Sequence, residues 1–257
     1  MKKNFYRQML SVFILACVIG LVSTGCVMLD EEYDERPADI SLEELEKRML
    51  KARDPNGVFL KATSYIQKQI VTDSKTGEQQ ICEIRYQAPD RLNMLMRKDN
   101  QPDSAIIING NSAWRVNYPE RSVKPIVGMG LSQLKTMQRL GDPDDSYQDL
   151  FRKVDLSLCR IGEQEYYKLV CHPKIRGSYE LVLYVGRDSY LLNRIRIPLL
   201  GSETRVDRYA LYEGVMVPEE TVSERSRSRV FYNRLNLPLD EQDFLPPVFG
   251  PAAESVD

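Results

Sequence analysis

The sequence contains only one histidine, His172, among its 257 residues. Zinc sites of the H-E-x-x-H kind need two imidazoles, so this kind of metal site is excluded. The sequence also lacks a G-x-S-x-G motif, a glycine-rich phosphate loop and a C-x-x-C pair. We therefore predict that the protein is not an enzyme, with no catalytic residues, no metal site and no cofactor other than a covalent lipid.

An excess of positive charge is absent as well. The chain has 35 lysine and arginine residues against 37 aspartate and glutamate residues, and its pI is about 5.7. Nucleic-acid-binding domains usually carry a basic excess, so we expect no nucleic-acid partner. With 42% hydrophobic and 28% charged residues, the composition is that of a globular domain that can bury a core.

One long uncharged segment, residues 8–29, follows the basic residues Lys2, Lys3 and Arg7. A basic start followed by an apolar stretch is typical of an export signal. The alternative is an uncleaved transmembrane anchor, because 22 residues are just enough to span a bilayer.

The uncharged segment contains the sequence Val-Ser-Thr-Gly-Cys, which ends at Cys26. This sequence resembles a bacterial lipobox, in which small residues precede a cysteine that is diacylated and becomes the new N-terminus. We therefore predict a lipoprotein signal peptide over residues 1–25 and lipid attachment, as diacylglycerol and an acyl chain such as palmitate, at Cys26. The following residue is Val27 rather than the aspartate that retains lipoproteins in the inner membrane of enterobacteria, which favours the periplasmic face of the outer membrane.

Two further segments flank the expected domain. Residues 26–40 are rich in aspartate and glutamate and are predicted to form a lipidated, solvated acidic tether. Residues 247–257 are predicted to be a disordered tail. The folded domain is expected to span residues 41–246.

The expected domain begins with a helix and continues with strands. Ser41 and Glu44 have the spacing of a capping box, which predicts a helix over about 41–53. Beyond it the apolar residues alternate, and Asn109-Gly110 between two apolar runs is a strong hairpin signal. Apolar residues recur at helical spacing at Leu131, Leu134, Met137 and Leu140, and again around 147–151, which predicts helices in these two places. The later strands are predicted at about 154–160, 165–172, 178–186, 190–198, 203–213, 215–223 and 227–237.

These elements predict a mainly β fold with some α-helix. The eleven or twelve expected strands are best buried in a single large curved antiparallel sheet, an unclosed β-barrel, with an N-terminal helix and central lid helices.

The order of these elements resembles the LolA/LolB-like family of lipoprotein carriers and receptors. The resemblance is carried by a strand-turn-strand segment over residues 85–94, by the hairpin over 107–118 and by the closing segment over 236–244. It implies an unclosed barrel whose helices cover an apolar cavity for acyl chains. The predicted lipidation is more like the family's outer-membrane receptor than its soluble carrier.

The resemblance suggests which residues line such a cavity. The candidates are Met94, Met96, Trp114, Tyr118, Leu131, Leu134 and Met137. Methionine suits irregular apolar ligands, but the same residues could equally fill a core, and the helical stripe could be a lid or simply a docked helix.

The cysteines leave two alternatives open. Cys82, Cys159 and Cys171 remain after the predicted processing, in an exported chain that meets an oxidising compartment. A hairpin centred on residue 165 would place Cys159 opposite Cys171, which permits a disulfide. The other alternative is three buried thiols, because one register shift moves the two side chains to opposite faces.

Two functions are compatible with the sequence. The first is a carrier or receptor whose partners are lipid acyl chains or lipoproteins, attached to the membrane by its N-terminal lipid and expected to be monomeric. The second is an envelope structural or sensory lipoprotein that uses the sheet as a protein-interaction platform around a filled core.

Overall fold

The computed structural model describes residues 32–140 and 145–250. The predicted signal peptide, Cys26 and the first part of the predicted tether lie outside these residues. No helix in the described ranges is both long enough and apolar enough to cross a membrane.

Within these ranges the chain forms three α-helices and fourteen strands. The helices are α1 (Leu42–Arg53), α2 (Gly128–Arg139) and α3 (Tyr147–Leu150), and short 3-10 helices cover Phe59–Lys61, Pro198–Leu200 and Glu241–Phe244. The strands are β1 (Glu32–Pro37), β2 (Ser64–Asp73), β3 (Gln79–Gln87), β4 (Arg91–Lys98), β5 (Gln101–Asn109), β6 (Ser112–Asn117), β7 (Ser122–Pro125), β8 (Phe151–Ile161), β9 (Gln164–Pro173), β10 (Leu181–Gly186), β11 (Leu192–Ile197), β12 (Ser202–Tyr212), β13 (Val215–Ser223) and β14 (Ser226–Leu235).

All fourteen described strands belong to one antiparallel sheet, in the order β1-β8-β9-β10-β11-β12-β13-β14-β2-β3-β4-β5-β6-β7. The sheet is not closed, because β1 and β7 lie at its two edges. The predicted fold class, an unclosed barrel with helices, is confirmed. The two strands that the sequence did not predict are these edge strands, which pair on one side only and carry little apolar alternation.

The N-terminal helix α1 lies where its capping signal predicted it. The Ser41 side chain accepts a hydrogen bond from the Glu44 backbone N–H at 3.2 Å. Leu45, on the apolar stripe of the helix, is fully buried against the sheet. The helix is therefore fixed both by its local cap and by packing.

The helices pack on one face of the sheet, which we call the inner face. The first inner cluster joins β8–β12 to the helices and includes Leu45, Met137, Leu140, Leu150, Leu158, Leu169, Leu183, Ile195 and Val206. The second inner cluster joins β13, β14 and β2–β6 to α2 and includes Tyr65, Ile84, Met94, Ile106, Ala113, Leu134, Val217 and Leu235. The two clusters fill the two halves of the barrel.

The predicted acidic tether is wrong for residues 32–37, which form β1. This strand pairs with β8, with Glu32 opposite Ile161 and Pro37 opposite Ser157. The charged side chains that suggested a solvated segment instead form ion pairs across the sheet edge. Lys168 Nζ lies 2.9 Å from Glu35, and Arg36 lies 2.6 Å from Glu165.

Glu165 is the centre of this ion-pair network. Its carboxylate accepts hydrogen bonds from Arg36 and from Arg187, which lower its pKa from the ordinary 4.5 to about 2. Arg187 also contacts Asp39, whose pKa is lowered first by the Tyr167 hydroxyl and then by Arg187. The network thus attaches β1 and the residues after it to the β8–β9 hairpin.

This network predicts a loss of stability in acid. Because the pKa of Glu165 is lower in the folded chain, its stabilising contribution is fully present above about pH 4.5 and is lost as the pH falls towards 2. We expect Glu165→Gln to lower the melting temperature at pH 7 and to match the wild type near pH 2. A deficit of the variant that persists unchanged at pH 2 would contradict this assignment.

The predicted disordered tail is likewise wrong for its first residues. Phe249 lies edge-on to Tyr118 with ring centroids 6.0 Å apart, and Arg121 donates a hydrogen bond to the Gly250 carbonyl. The preceding segment also lies on the outer face, where Phe244 is fully buried and Asn93 donates to the Asp243 carbonyl at 2.6 Å. Residues 251–257 lie outside the described ranges.

The predicted disulfide between Cys159 and Cys171 is wrong. The β8–β9 hairpin turns at residues 162–163, so that Cys159 lies opposite Tyr166 and Cys171 lies opposite Val154. Cys171 packs in the first inner cluster, whereas Cys159 packs on the outer face with Tyr166. The three described cysteines, Cys82 included, are buried thiols.

Candidate functional site

A cavity of about 270 Å³ lies between helix α2 and the ends of three strands of the sheet. It is bounded by the start of β8, the end of β9, the start of β10 and the loop that joins the last two. Its apolar lining comprises Met137, Leu150, Phe151, Ile175, Tyr179 and Leu181. Gln133, Thr136, Arg139, Asp149, Lys174 and Ser178 supply the polar part of the lining.

Helix α2 forms one wall of this cavity and connects it to the core. Gly128, with a φ of +60°, begins the helix after an extended Val127. Leu134 points into the second inner cluster, while Met137 packs in the first inner cluster and lines the cavity. The helix therefore divides its apolar stripe between the two halves of the barrel.

Three large apolar side chains at the start of α2 and in the β9–β10 loop are exposed. Val127 is 71% exposed, Met129 is 47% exposed and Ile175 is 40% exposed. Gly177 allows the β9–β10 loop to approach α2, because a Cβ at this position would lie 3.3 Å from the Met129 sulfur. Exposed apolar side chains grouped at one place are typical of a binding surface.

Hydrogen bonds and ion pairs hold the polar rim of the cavity in place. Lys174 Nζ donates to the Asp149 carbonyl, and Arg139 binds the Asp145 carboxylate through two nitrogens. On the far side of α3, Glu46 accepts a hydrogen bond from the Tyr147 N–H at 2.6 Å, and burial raises the pKa of its carboxyl. The Lys174 contact thus attaches the β9–β10 loop to α3.

The structure separates the predicted acyl-cavity residues. Met94, Met96, Leu131 and Leu134 come together in or against the second inner cluster, where Met94 is 2% exposed. Of the seven, Met137 lines the described cavity. Whether any of these residues contacts an acyl chain stays a prediction.

Trp114 and Tyr118 do not lie on the inner face. In β6 the inner position is Ala113, which pairs with Ile108, so Trp114 pairs with Ile107 on the outer face. Both aromatic residues pack in an outer cluster that includes Phe249. The sequence pattern was ambiguous because both faces of β6 carry apolar residues.

Several residues of the cavity were missed by sequence reasoning. Phe151, Ile175, Tyr179 and Leu181 lie on β8, on β10 and between β9 and β10. The sequence shows that these residues are apolar. It does not specify the pairing of β8, β9 and β10, and it is this pairing that places them opposite α2.

His172 lies at the end of β9 in a polar setting. Its Nε2 is 2.9 Å from an Asp155 oxygen, and its Nδ1 is 2.9 Å from a Glu180 oxygen. These contacts join β8, β9 and the residue before β10. In the part of the chain that the structure describes, no group of three or more histidine, cysteine or carboxylate residues is placed to hold a metal.

Comparisons of the chain with known proteins gave structural matches only. No family model matches the sequence, and no curated protein matches it. The solved structures with a similar fold include a DUF1329 family protein from Desulfovibrio piger, at 14% identity and a TM-score of 0.57, covering 79% of this chain and 95% of that one.

Two further solved structures have a similar fold. One is described as an outer membrane lipoprotein-sorting protein domain from Vibrio parahaemolyticus, at 16% identity and a TM-score of 0.54, covering 79% of this chain and 95% of that one. The other is a LolA superfamily protein from Nitrosomonas europaea, at 13% identity and a TM-score of 0.54, covering 80% of this chain and 98% of that one. The chain therefore has a LolA-like fold, as the sequence resemblance predicted.

Proposed function

We propose that the protein is a lipid-anchored bacterial envelope lipoprotein that binds the acyl chains of a lipid or lipoprotein, in lipoprotein sorting or envelope lipid handling. The observation that carries this proposal is the cavity beside α2, with its apolar lining of Met137, Leu150, Phe151 and Leu181. Ligand sites of this kind are concave and mostly apolar, with a few polar groups that fix orientation. The LolA-like fold supports the same kind of function.

The position of β1 supports an arrangement relative to the membrane. Glu32 lies six residue steps after the predicted lipid on Cys26, a distance of at most about 20 Å when the chain is extended. Glu32 pairs with Ile161 at one end of β8, whereas the cavity lies at Phe151, the other end of the same strand. Ten residue steps of β8 separate these ends by about 33 Å. The cavity would thus open away from the anchor, towards ligands that arrive from the aqueous side.

The proposal is tested by asking whether the protein retains a lipid. The described residues contain the fourteen-stranded sheet and both inner clusters, so the chain from residue 27 onward, without its predicted signal, is a suitable sample. After purification from a bacterial host, native mass spectrometry should show one acyl-chain ligand per protein. A ligand-free chain that also takes up no fatty acid or phospholipid on titration would refute the proposal.

Two variants on α2 test whether the retained acyl-chain ligand occupies the cavity. Thr136→Trp places a large side chain in the cavity and should remove the ligand, with the melting temperature retained. Ser132→Trp adds the same side chain to the same helix outside the cavity lining and should keep the ligand. Retention of ligand by Thr136→Trp would place lipid binding elsewhere.

A second candidate function is the protein-interaction platform. It is favoured by how completely the inner clusters are filled, since Met94 is 2% exposed and Leu140 is fully buried. The same mass spectrometry decides between the two, because a platform with a filled core should carry no lipid.

A further inference from the structure

The cavity beside α2 has an apolar floor and a polar mouth. Met137, Leu150, Phe151 and Leu181 line it and are each 6% exposed or less, so they form its buried part. The lining that the β9–β10 loop contributes includes the exposed Lys174. An amphiphile in the cavity would therefore place its apolar part against the buried side chains and its polar head beside the loop.

The cavity is small for a lipid site. Its volume of about 270 Å³ lies just below the range of roughly 300–1,000 Å³ that is usual for small-molecule pockets. A phospholipid carries two acyl chains, and a bacterial lipoprotein carries two or three. A pocket at this lower limit has room for a single chain, so its size favours a ligand that has only one.

Lys174 supplies a positive charge at the mouth of the cavity. Its Nζ donates to the backbone carbonyl oxygen of Asp149, which fixes the end of this long side chain beside the cavity. An ammonium group has three donors, so two are left for other acceptors. Within residues 32–140 and 145–250, this ammonium has no carboxylate partner. A positive charge that is held in place without a counter-ion suits an anionic ligand group.

The other charged groups of the lining are committed to contacts within the protein. Arg139 binds the Asp145 carboxylate through two nitrogens. The Asp149 carboxylate accepts a hydrogen bond from the Ser146 hydroxyl at 2.9 Å, in the cap of α3. Lys174 is therefore the charged group of the described lining that is available to a ligand.

A second polar group of the same loop lacks a partner. Ser178 lines the cavity four residues after Lys174, and its hydroxyl oxygen is buried without a hydrogen-bond partner among the described residues. A buried hydroxyl without a partner is costly, because most buried polar groups in folded proteins are hydrogen-bonded. Rotation about the Cα–Cβ bond moves a serine hydroxyl between three staggered positions, so this group can turn towards a ligand in the cavity.

We infer that the cavity takes a lipid with a single acyl chain and an acidic head, and that Lys174 and Ser178 bind this head. The Lys174 ammonium and the Ser178 hydroxyl donate to an oxygen of the carboxylate or phosphate, and the chain lies against Met137, Phe151 and Leu181. A free fatty acid is the simplest lipid of this class. This inference rests on the proposed function and names the ligand class of the same cavity.

The test compares two pairs of probes that each differ in one feature. Laurate and methyl laurate share a chain and differ in the charge of the head. Lauroyl lysophosphatidylglycerol and dihexanoyl phosphatidylglycerol share a head and the number of acyl carbons, but carry these carbons in one chain or in two. Binding is measured by displacement of the neutral fluorophore N-phenylnaphthylamine from the chain that begins at residue 27.

We expect the wild-type protein to bind laurate about tenfold more tightly than methyl laurate, as a charge-assisted hydrogen bond would give. Hydrophobic burial alone would favour methyl laurate, because its head is uncharged. The one-chain phosphatidylglycerol should bind about tenfold more tightly than the two-chain probe. The tighter of laurate and the one-chain phosphatidylglycerol then identifies the acidic head as carboxylate or phosphate.

Three variants assign the preference for laurate to the mouth of the cavity. Lys174→Met removes the charge and should reduce the preference to about twofold or less, while methyl laurate binds as before. Ser178→Ala removes only the hydroxyl and should reduce the preference about threefold, so it tests the site even if Lys174→Met alters the loop. Lys153→Met is the control, because Lys153 pairs with His172 in the same hairpin but lies outside the cavity lining.

The outcomes separate this inference from the proposed function. Equal binding of laurate and methyl laurate by the wild type, or a preference that survives both Lys174→Met and Ser178→Ala, would overturn the assignment of the head. Equal binding of the one-chain and two-chain probes would overturn the restriction to one chain, and in both cases acyl binding would stand. Failure of the wild type to bind any of the four probes would overturn the proposed function as well. Loss of the preference in Lys153→Met would show that it follows from net charge rather than from the cavity.

Discussion

A glutamate in place of Met94 should leave the domain unfolded. Met94 is 2% exposed, and in the sheet it lies between Ile84 of β3 and Ile106 of β5. A carboxylate at this position would lie among the apolar side chains of the second inner cluster, where an unpaired charge is strongly disfavoured. We expect a loss of about 4 kcal/mol or more, which is a large part of the stability of a typical domain.

Circular dichroism and thermal unfolding measure this effect, and two variants control for its cause. Met94→Leu conserves volume and should cost less than about 1.5 kcal/mol. Met96→Glu lies on the same strand and the same face, but Met96 is only partly buried, so the effect should be smaller. A folded Met94→Glu protein with native stability would show that the position opens to solvent or to a large cavity.

Alanine in place of Cys26 should abolish processing and lipidation. A thioether-linked diacylglycerol requires the cysteine, and the lipoprotein signal peptidase cleaves before the modified residue. Intact-mass measurement should find the wild type shortened by the predicted 25 residues and carrying lipid, and the variant at its full length of 257 residues without lipid. Cleaved, unmodified chain that is retained normally in the membrane would contradict the predicted anchor.

The same signal region provides a matched control. Cys17 lies within the predicted signal peptide, nine residues before Cys26, so Cys17→Ala should be processed and lipidated normally. Membrane fractionation of the processed wild type then tests whether it is located in the inner or the outer membrane. We expect the outer membrane because Val27 follows the cysteine, and recovery in the inner membrane would overturn that expectation.

Local sequence determined the elements of this fold. The Ser41 cap fixed the start of α1, and the Asn109-Gly110 turn fixed the β5–β6 hairpin. Alternation of apolar residues indicated the strands that have neighbours on both sides, and the order of these elements was enough to predict an unclosed barrel. Each of these signals acts between residues close in the chain, so it can be recognised without knowledge of the tertiary structure.

Only the tertiary structure decided which residues meet. The turn of the β8–β9 hairpin placed Cys159 and Cys171 on opposite faces, and the C-terminal segment carrying Phe244 and Phe249 covered the outer face that Trp114 shares. The charged residues of β1 became an edge strand because partners such as Glu165 and Lys168 lie more than a hundred positions away. A strand with apolar residues on both faces does not show which face is inner, and ion pairs of this kind form only after the sheet has brought their members together.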